Sequence, residues 1–494
     1  MERKYQISPA EQLERICRKA PQTLTFDSMS NLPVFLLCTT LWMSFAQASV
    51  EQQIEKALQR IGDWKAHSTI LIAEKPDRVL FAHQANEALI PASVTKIVTA
   101  AAVLKHFPPG TKMKTQILSA APIEGEVLKG DLYLKGGGDP GFVSETMWFL
   151  VNHFLRSKIR KIEGNIVVDD RLFDSLRFDP SRQKERVDRA YDAPTSAMSF
   201  NWNSINVFVR PGLKVGDAAS VFLDPENSYT ELKADVKTVK AGGEASVDVE
   251  RDETKTGDVV IVRGKIPVDS KEITVFKNIT KPDLWSGSQL KSFLAQRGVQ
   301  VSGGVKSGET PRDARVLAEA ESKPVEQMIA DMNKFSNNYV AEMLTKNLGV
   351  IRSTPGSIEK GMEIVNEYMK ALGNPTGEFK LQNPSGFTRA NRLSAKALWN
   401  VLWDMKSQLL FEPEFLTSLP IAGVDGTLKK RMKGTPAERW VRAKTGYLTN
   451  VVSLAGYAGR PDGRVIPFVL IYNGSADEGK VRSAFDQVMQ VLVQ

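Results

Sequence analysis

The sequence places apolar strands near both of its ends and unlike material between them, and few folds allow that. Near the C-terminus, WVRAKTGYLTNVVSLAGYAGRPDGRVIPFVLIYNG reads as two long strands joined by a turn at Arg460–Pro461–Asp462–Gly463. Near the N-terminus, STILIAEKPDRVLFAHQ reads as two shorter strands around Lys75–Pro76–Asp77–Arg78. The two ends are therefore expected to form one α/β domain, with the middle of the chain inserted into it.

Local patterns fill in that outline. Residues 50–62 carry an amphipathic helical pattern. After Pro91, Ile97, Ala100, Ala101, Leu104 and Phe107 recur at helical spacing until Pro108–Pro109–Gly110 stops the run. From about residue 113 the texture turns to short strands and Gly/Asp turns, as in KGDLYLKGGGDPGF and KIEGNIVVDDRLFD. Residues 206–265 read as a small all-β module (VFVRPG, ASVFLD, ASVDVE, DVVIVRG). Helical texture returns in LWSGSQLKSFLAQRG and VEQMIADMNKFSNNYVAEMLTKNLG, and a final helix is predicted over 477–493.

Among 494 residues, 65 Lys and Arg stand against 57 Asp and Glu, a formal net charge of +8. The basic residues are scattered without a dense run. That argues for mild attraction to anionic polymers or membrane surfaces and against a nucleic-acid partner. Residues 32–45, LPVFLLCTTLWMSF, form an apolar block too short to span a bilayer comfortably. Ala46–Gln47–Ala48 follows it with the small-x-small pattern of secretory cleavage. Residues 1–48 are thus read as a leader, starting at Met1 or Met29, and the mature chain as periplasmic, with no transmembrane anchor. Both cysteines, Cys17 and Cys38, precede the expected cut, so disulfides, zinc–thiolate sites and cysteine catalysis are not expected.

PASVTKIVTAAAVLKHF, residues 91–107, sets Ser93 and Lys96 three apart at the head of its helix. Such a pair shares a helix face, about 5–6 Å apart at Cβ. Burial and nearby positive charge lower a lysine's pKa until it can take the serine's proton, which makes a nucleophile without histidine. That suits a chain with only His67, His83, His106 and His153. The spacing alone decides little, because Ser181–Lys184, Ser288–Lys291 and Ser357–Lys360 repeat it. Two later motifs complete the Ser-x-x-Lys, Ser-x-Asn, Lys-Thr-Gly set of penicillin-binding proteins and class A β-lactamases. Ser336–Asn337–Asn338 lies in a helical stretch, and Lys444–Thr445–Gly446 lies within a long strand, where Gly446 lets a substrate backbone come close. Lys255–Thr256–Gly257 in a charged turn, and Ser199–Asn201 and Ser204–Asn206 in strand-like texture, are taken as chance matches.

Three further stretches are LKGGGDP (134–140), NPSGFTRANR (383–392) and LPIAGVDGT (419–427). With these and the three motifs, the sequence resembles the class C low-molecular-mass penicillin-binding proteins, the D-alanyl-D-alanine carboxypeptidase/endopeptidase family. The gap of about 240 residues between Ser93 and Ser336 matches that family's two inserted domains. The resemblance implies a serine β-lactamase/transpeptidase-like α/β domain, an antiparallel sheet flanked by helices, over 49–112 and 281–494. It implies a mainly β inserted domain II over 113–205 and 266–280, and an all-β domain III over 206–265.

By the same resemblance, Ser93 attacks the D-Ala–D-Ala carbonyl with Lys96 as its base. Ser336 relays a proton to the leaving amine, and Asn338 holds the acyl-side amide. Lys444 supplies positive potential, Thr445 binds the terminal carboxylate, and Gly446 gives the strand its close approach. The N–H groups of Ser93 and Tyr447 form the oxyanion hole. Asp192 is expected to meet the amino group of the stem peptide's diamino acid, and Arg389 to pair with a carboxylate nearby. Tyr447 departs from the pattern, since serine or threonine usually follows Lys-Thr-Gly. No cofactor or metal is implied. The implied partners are peptidoglycan peptides and covalently bound β-lactams, with room left for a homodimer. The rival readings are a β-lactamase or esterase of the same fold, and a non-catalytic cell-wall binding protein.

Overall fold

The computed structural model describes residues 49–182 and 187–494; residues 1–48, expected as a leader and holding both cysteines, lie outside the described residues, as does Lys184. Helix α1 is Val50–Leu58, shorter than the pattern suggested, and it buries Ile54, Ala57 and Leu58. Strands β1, Ser68–Lys75, and β2, Arg78–His83, form the expected hairpin. A single 3-10 turn, Ala92–Val94, then leads into helix α2, Thr95–His106. Every residue from Thr95 to Leu104 is buried, so α2 is a core helix enclosed on all sides.

The insert follows with β3 (Lys114–Ser119), β4 (Leu132–Lys135), helix α3 (Ser144–Phe154) and β5 (Ile166–Asp169). Six strands come next: β6 (Ser204–Arg210), β7 (Ser220–Asp224), β8 (Thr230–Val239), β9 (Ser246–Glu253), β10 (Asp258–Pro267) and β11 (Ile273–Asn278). Helix α4 (Pro282–Gln296), β12 (Val305–Ser307) and β13 (Arg315–Glu321) complete it. Helices α5 (Val325–Lys334), α6 (Asn338–Arg352), α7 (Ile358–Ala371) and α8 (Ala395–Lys406) lead to strands β14 (Val441–Leu448), β15 (Val451–Gly459) and β16 (Val465–Asn473). Helix α9, Glu478–Leu492, ends the fold.

The two ends do meet. Five antiparallel strands run in the order β2–β1–β16–β15–β14, with Ser68 opposite Tyr472. Strand alternation sends Leu71, Ala73, Val469 and Ile471 to the face covered by α2 and α5–α8. Ile70, Ile72, Phe468 and Leu470 face α1 and α9. The result is an antiparallel sheet flanked by helices, with mainly β material inserted. Among the described residues, no helix is long and apolar enough to cross a membrane.

The insert's edges differ from the expected boundaries. A five-stranded sheet, β12–β5–β4–β3–β13, takes in β13 through its antiparallel pairing with β3. Trp285, Leu290 and Leu294 of α4 bury in the same core as Ile117, Leu134 and Ile166. Residues 282–321, expected with the catalytic domain from 281, therefore pack with the insert, and the catalytic core resumes at Val325. Likewise β11, expected in domain II, pairs with β6 from Ser204↔Asn278 onward, so the all-β part extends beyond 206–265. An apolar stripe shows that a segment is buried on one side; it does not show which sheet lies against it.

Candidate active site

The turn that carries Ser93 is held in an unusual shape. Ala92, at φ 51°, occupies the left-handed region that non-glycine residues avoid. Ser93 sits in the 3-10 turn, half-buried, while Lys96 one turn on is fully buried. Two glycines press on this turn. A Cβ on Gly446 of β14 would lie 2.1 Å from Ser453 Oγ, 2.8 Å from the Pro91 carbonyl oxygen and 3.1 Å from Ser93 N. A Cβ on Gly386 would lie 2.0 Å from the Ala92 carbonyl oxygen. Only residues without a side chain let the Lys-Thr-Gly strand and the 383–391 loop close on the serine.

Lys96 Nζ lies 3.1 Å from Ser93 Oγ, 2.8 Å from Asn338 Oδ1 and 2.5 Å from the Ser385 carbonyl oxygen. The Asn338 amide orientation fits its other contact, Nδ2 donating to the Tyr191 carbonyl at 3.4 Å. Of these partners, Asn338 Oδ1 and the Ser385 carbonyl can only accept. A neutral amine has two N–H bonds to give them, which leaves its lone pair for the Ser93 hydroxyl proton. The geometry thus suits a lysine that takes a proton from Ser93.

Across the cleft, Lys444 Nζ donates to Ser336 Oγ at 2.9 Å and to the Thr445 carbonyl at 2.8 Å. Burial pushes the Lys444 ammonium down to about 7. Ser336 was expected inside a helix, but it stands between α5 and α6 at φ 56°, and Asn337 caps α6 by accepting the Val340 N–H. That left-handed residue turns the chain so that Asn338 starts α6 facing Lys96. Strand β14 is an edge strand. Its Ala443 N–H donates outward to the Pro420 carbonyl, and its register with β15 is unbroken to Leu448. Alternation therefore turns the N–H groups of Thr445 and Tyr447 to the same outer edge.

The remaining expected residues fall at the rim. The Tyr447 side chain is exposed and leaves the cleft for α9, where a hydrogen bond donated by its phenol to Glu478 raises its pKa and Arg482 lies 5.8 Å from its ring. Arg389 is at the end of β14, its Nη2 donating to the Thr449 carbonyl at 2.6 Å. Asp192, expected to meet the stem peptide's amino group, is only 1 % exposed and its carboxylate accepts the Val187 N–H, while Tyr191 beside it is exposed.

Other residues entered the site unforeseen. Thr445 Oγ1 donates to Thr427 Oγ1 at 2.8 Å. Asn383 Oδ1 accepts from the N–H and hydroxyl of Ser385, the residue whose carbonyl holds Lys96. Asn383 is in turn fixed by Asp179 of the insert, Nδ2 to Oδ2 at 2.9 Å, and both are buried. Thr427, Asn383 and Ser385 lie within LPIAGVDGT and NPSGFTRANR, a signal that was present; Asp179 carried none. The repeated Ser-x-x-Lys spacings found other work: Ser357 caps α7, and Lys291 donates to the Gly303 carbonyl.

A helix-flanked antiparallel sheet with this Ser/Lys pair at its buried helix, a Ser-x-Asn pair opposite and a Lys-Thr-Gly edge strand defines the serine penicillin-recognising class. Residues 50–494 match the D-Ala-D-Ala carboxypeptidase 3 (S13) family, and the chain belongs to it. It is 32% identical over 411 residues to a D-alanyl-D-alanine carboxypeptidase of Actinomadura sp. (strain R39), covering 80% of this chain and 75% of that one. It is 24% identical over 396 residues to D-alanyl-D-alanine carboxypeptidase DacB of Haemophilus influenzae, covering 78% and 81%. In fold it is similar to the crystal structure of penicillin binding protein 4 from Haemophilus influenzae, with a TM-score of 0.76 and 22% identity, over 89% of this chain and 98% of that one.

Proposed function

We propose that the protein is an exported serine DD-peptidase that cuts D-alanyl-D-alanine bonds of peptidoglycan stem peptides or cross-links through an acyl-enzyme on Ser93. The carrying observation is the position of Lys96 Nζ, shared between Ser93 Oγ and two acceptors that orient its lone pair. Ser93 Oγ bonds to the carbonyl carbon while its proton passes to Lys96. The carbonyl oxygen takes up the displaced electron pair and is held by the N–H groups of Ser93 and Tyr447. When the tetrahedral intermediate collapses, the C–N bond breaks and the leaving amine takes, by way of Ser336, the proton that Lys96 accepted, which leaves Lys96 neutral. Free D-alanine, or the freed amine of a cross-link, departs. Water, its proton accepted by Lys96, then adds to the ester carbonyl, and Lys96 passes that proton to Ser93 Oγ as the acyl group leaves as the acid. A β-lactam follows the first half of this path, but its amine stays tethered to the acyl group, so the ester on Ser93 persists.

The test combines a penicillin and a stem pentapeptide, followed by intact mass and released D-alanine. A long-lived adduct on Ser93 together with D-alanine release supports the reading. Rapid turnover of the penicillin would make the protein a β-lactamase instead. No adduct and no D-alanine would leave a cell-wall binding protein.

A further inference from the structure

The three-stranded sheet β7–β6–β11 has one face in use and one bare. Ile205, Val207 and Val209 of β6 point into the insert's core. The alternate residues Asn206 and Phe208 point outward, and register sets Phe222 of β7 opposite Phe208 and Phe276 of β11 opposite Asn206. Phe222 is 54 % exposed and Phe276 53 %. Exposed apolar surface gathered on one face marks a place where something binds.

This face runs on into the active site. A pocket of about 330 Å³ joins Phe276 to Tyr191. Tyr191, 54 % exposed, packs edge-on against Phe387 with ring centroids 5.8 Å apart, and its carbonyl accepts from Asn338. Aromatic side chains thus extend from the asparagine beside Lys96 out across the sheet.

The chemistry between the rings narrows the occupant. The two cations on these three strands, Arg210 and Lys277, are matched by Glu272 and Asp188. An anionic polymer needs a run of surplus positive charge; the strands offer none, and the adjoining pocket adds a single arginine, Arg189. What remains beside the rings is hydrogen-bonding: the Asn206 amide, the Asp224 carboxylate that accepts from it at 3.3 Å, and the Thr274 hydroxyl. Pyranose rings present apolar C–H faces to aromatic rings and hydroxyls to amides.

We propose that the outer face of β7–β6–β11 binds the glycan strand of peptidoglycan, holding the polymer while a stem peptide enters at Ser93. This rests on the DD-peptidase reading for the identity of the polymer. The test uses the full chain and a double variant, Phe222→Thr with Phe276→Thr, whose β-branched replacements keep strand propensity at exposed positions. Asn206→Ala is a second variant. Penicillin acylation of Ser93 and D-alanine release from a soluble pentapeptide are expected to match wild type, which also shows that the variants fold. Binding to a neutral β-1,4-linked N-acetylglucosamine oligomer, which keeps the sugar backbone without the free lactyl carboxylates of a peptide-stripped strand, is expected to fall by about tenfold in the double variant, with a smaller loss for Asn206→Ala. Wild type that fails to bind the oligomer overturns the proposal, as does a double variant that binds it undiminished. A face that captures another protein and no glycan overturns it too. Absence of a penicillin adduct on wild type would instead remove the DD-peptidase reading, and glycan binding stays measurable in that case.

Discussion

Lys444 Nζ lies 2.9 Å from Ser336 Oγ although 108 residues separate the two in sequence. The ammonium is wholly buried, and burial lowers its pKa to about 7 from a usual value of 10.5. Between those two values the unfolded chain binds a proton that the folded chain does not, so stability from this group rises with pH through the window and its cost is full below 7. Lys444→Met is therefore expected to be more stable than wild type at pH 6, by about 1–4 kcal/mol, with the gap narrowing toward pH 10. Its penicillin acylation is expected to fall about 100-fold or more, because the site loses its positive potential. Paired thermal melts of both proteins at pH 6 and pH 9.5 check the sign. A variant less stable than wild type at pH 6 would contradict it.

Gly446 is where the edge strand meets the nucleophile's turn. Gly446→Ala forces a methyl group to within 2.1 Å of Ser453 Oγ and 2.8 Å of the Pro91 oxygen, so either β14 or the Ser93 turn has to move. The expected cost is about 1–3 kcal/mol of stability, with acylation nearly abolished. Adding Ser453→Gly removes the tighter clash and leaves the backbone one. Stability is expected to recover partly and activity to stay low. Full recovery of acylation would show that the close approach is not required.

Asp179 belongs to the insert, yet it reaches Lys96 through Asn383 and Ser385. Asp179→Ala is expected to slow penicillin acylation about tenfold by letting the Ser385 carbonyl drift. The loss should appear in the acylation rate constant more than in initial binding. Rapid-mixing kinetics separate this from simple unfolding, which lowers the amount of active protein and leaves the rate constant of the folded fraction unchanged.

The phenol of Tyr447 points away from the cleft toward Glu478, so Tyr447→Phe is expected to keep wild-type carboxypeptidase kinetics. Its backbone N–H is unaltered. Tyr447→Thr returns a hydroxyl to the strand beside Thr445, and KM for a peptide ending in free D-alanine is expected to drop about threefold. Steady-state D-alanine release measures both. A large loss in Tyr447→Phe would place the phenol on the substrate.

Legibility followed the length scale of the information. The Ser93–Lys96 pair was readable because one helical turn brings the two side chains together, and the Lys-Thr-Gly string because a single strand carries it. The joining of the chain's ends in one sheet was readable from apolar strands that needed partners. Ser336 misled, since a polar string between two helices looks the same whether the helix continues or a φ of 56° interrupts it. The return of the catalytic core at Val325 was hidden because α4 is buried along most of its length, polar residues included, and its pattern does not say which sheet covers it. Asp179 was out of reach altogether: its partner is 204 residues away, and no local pattern encodes such a contact.

The pairing of β1 with β16 also governs when the enzyme comes into being. Ser453 Oγ braces the Pro91 carbonyl across 362 residues, so the turn beneath the nucleophile is completed by one of the latest strands to be synthesised. Closing so distant a contact is entropically slow, and the first hairpin has no sheet to join until β16 arrives. The catalytic sheet of a nascent chain therefore stays open until its last strands arrive. Labelling of Ser93 by a penicillin then serves as a signature of a finished molecule.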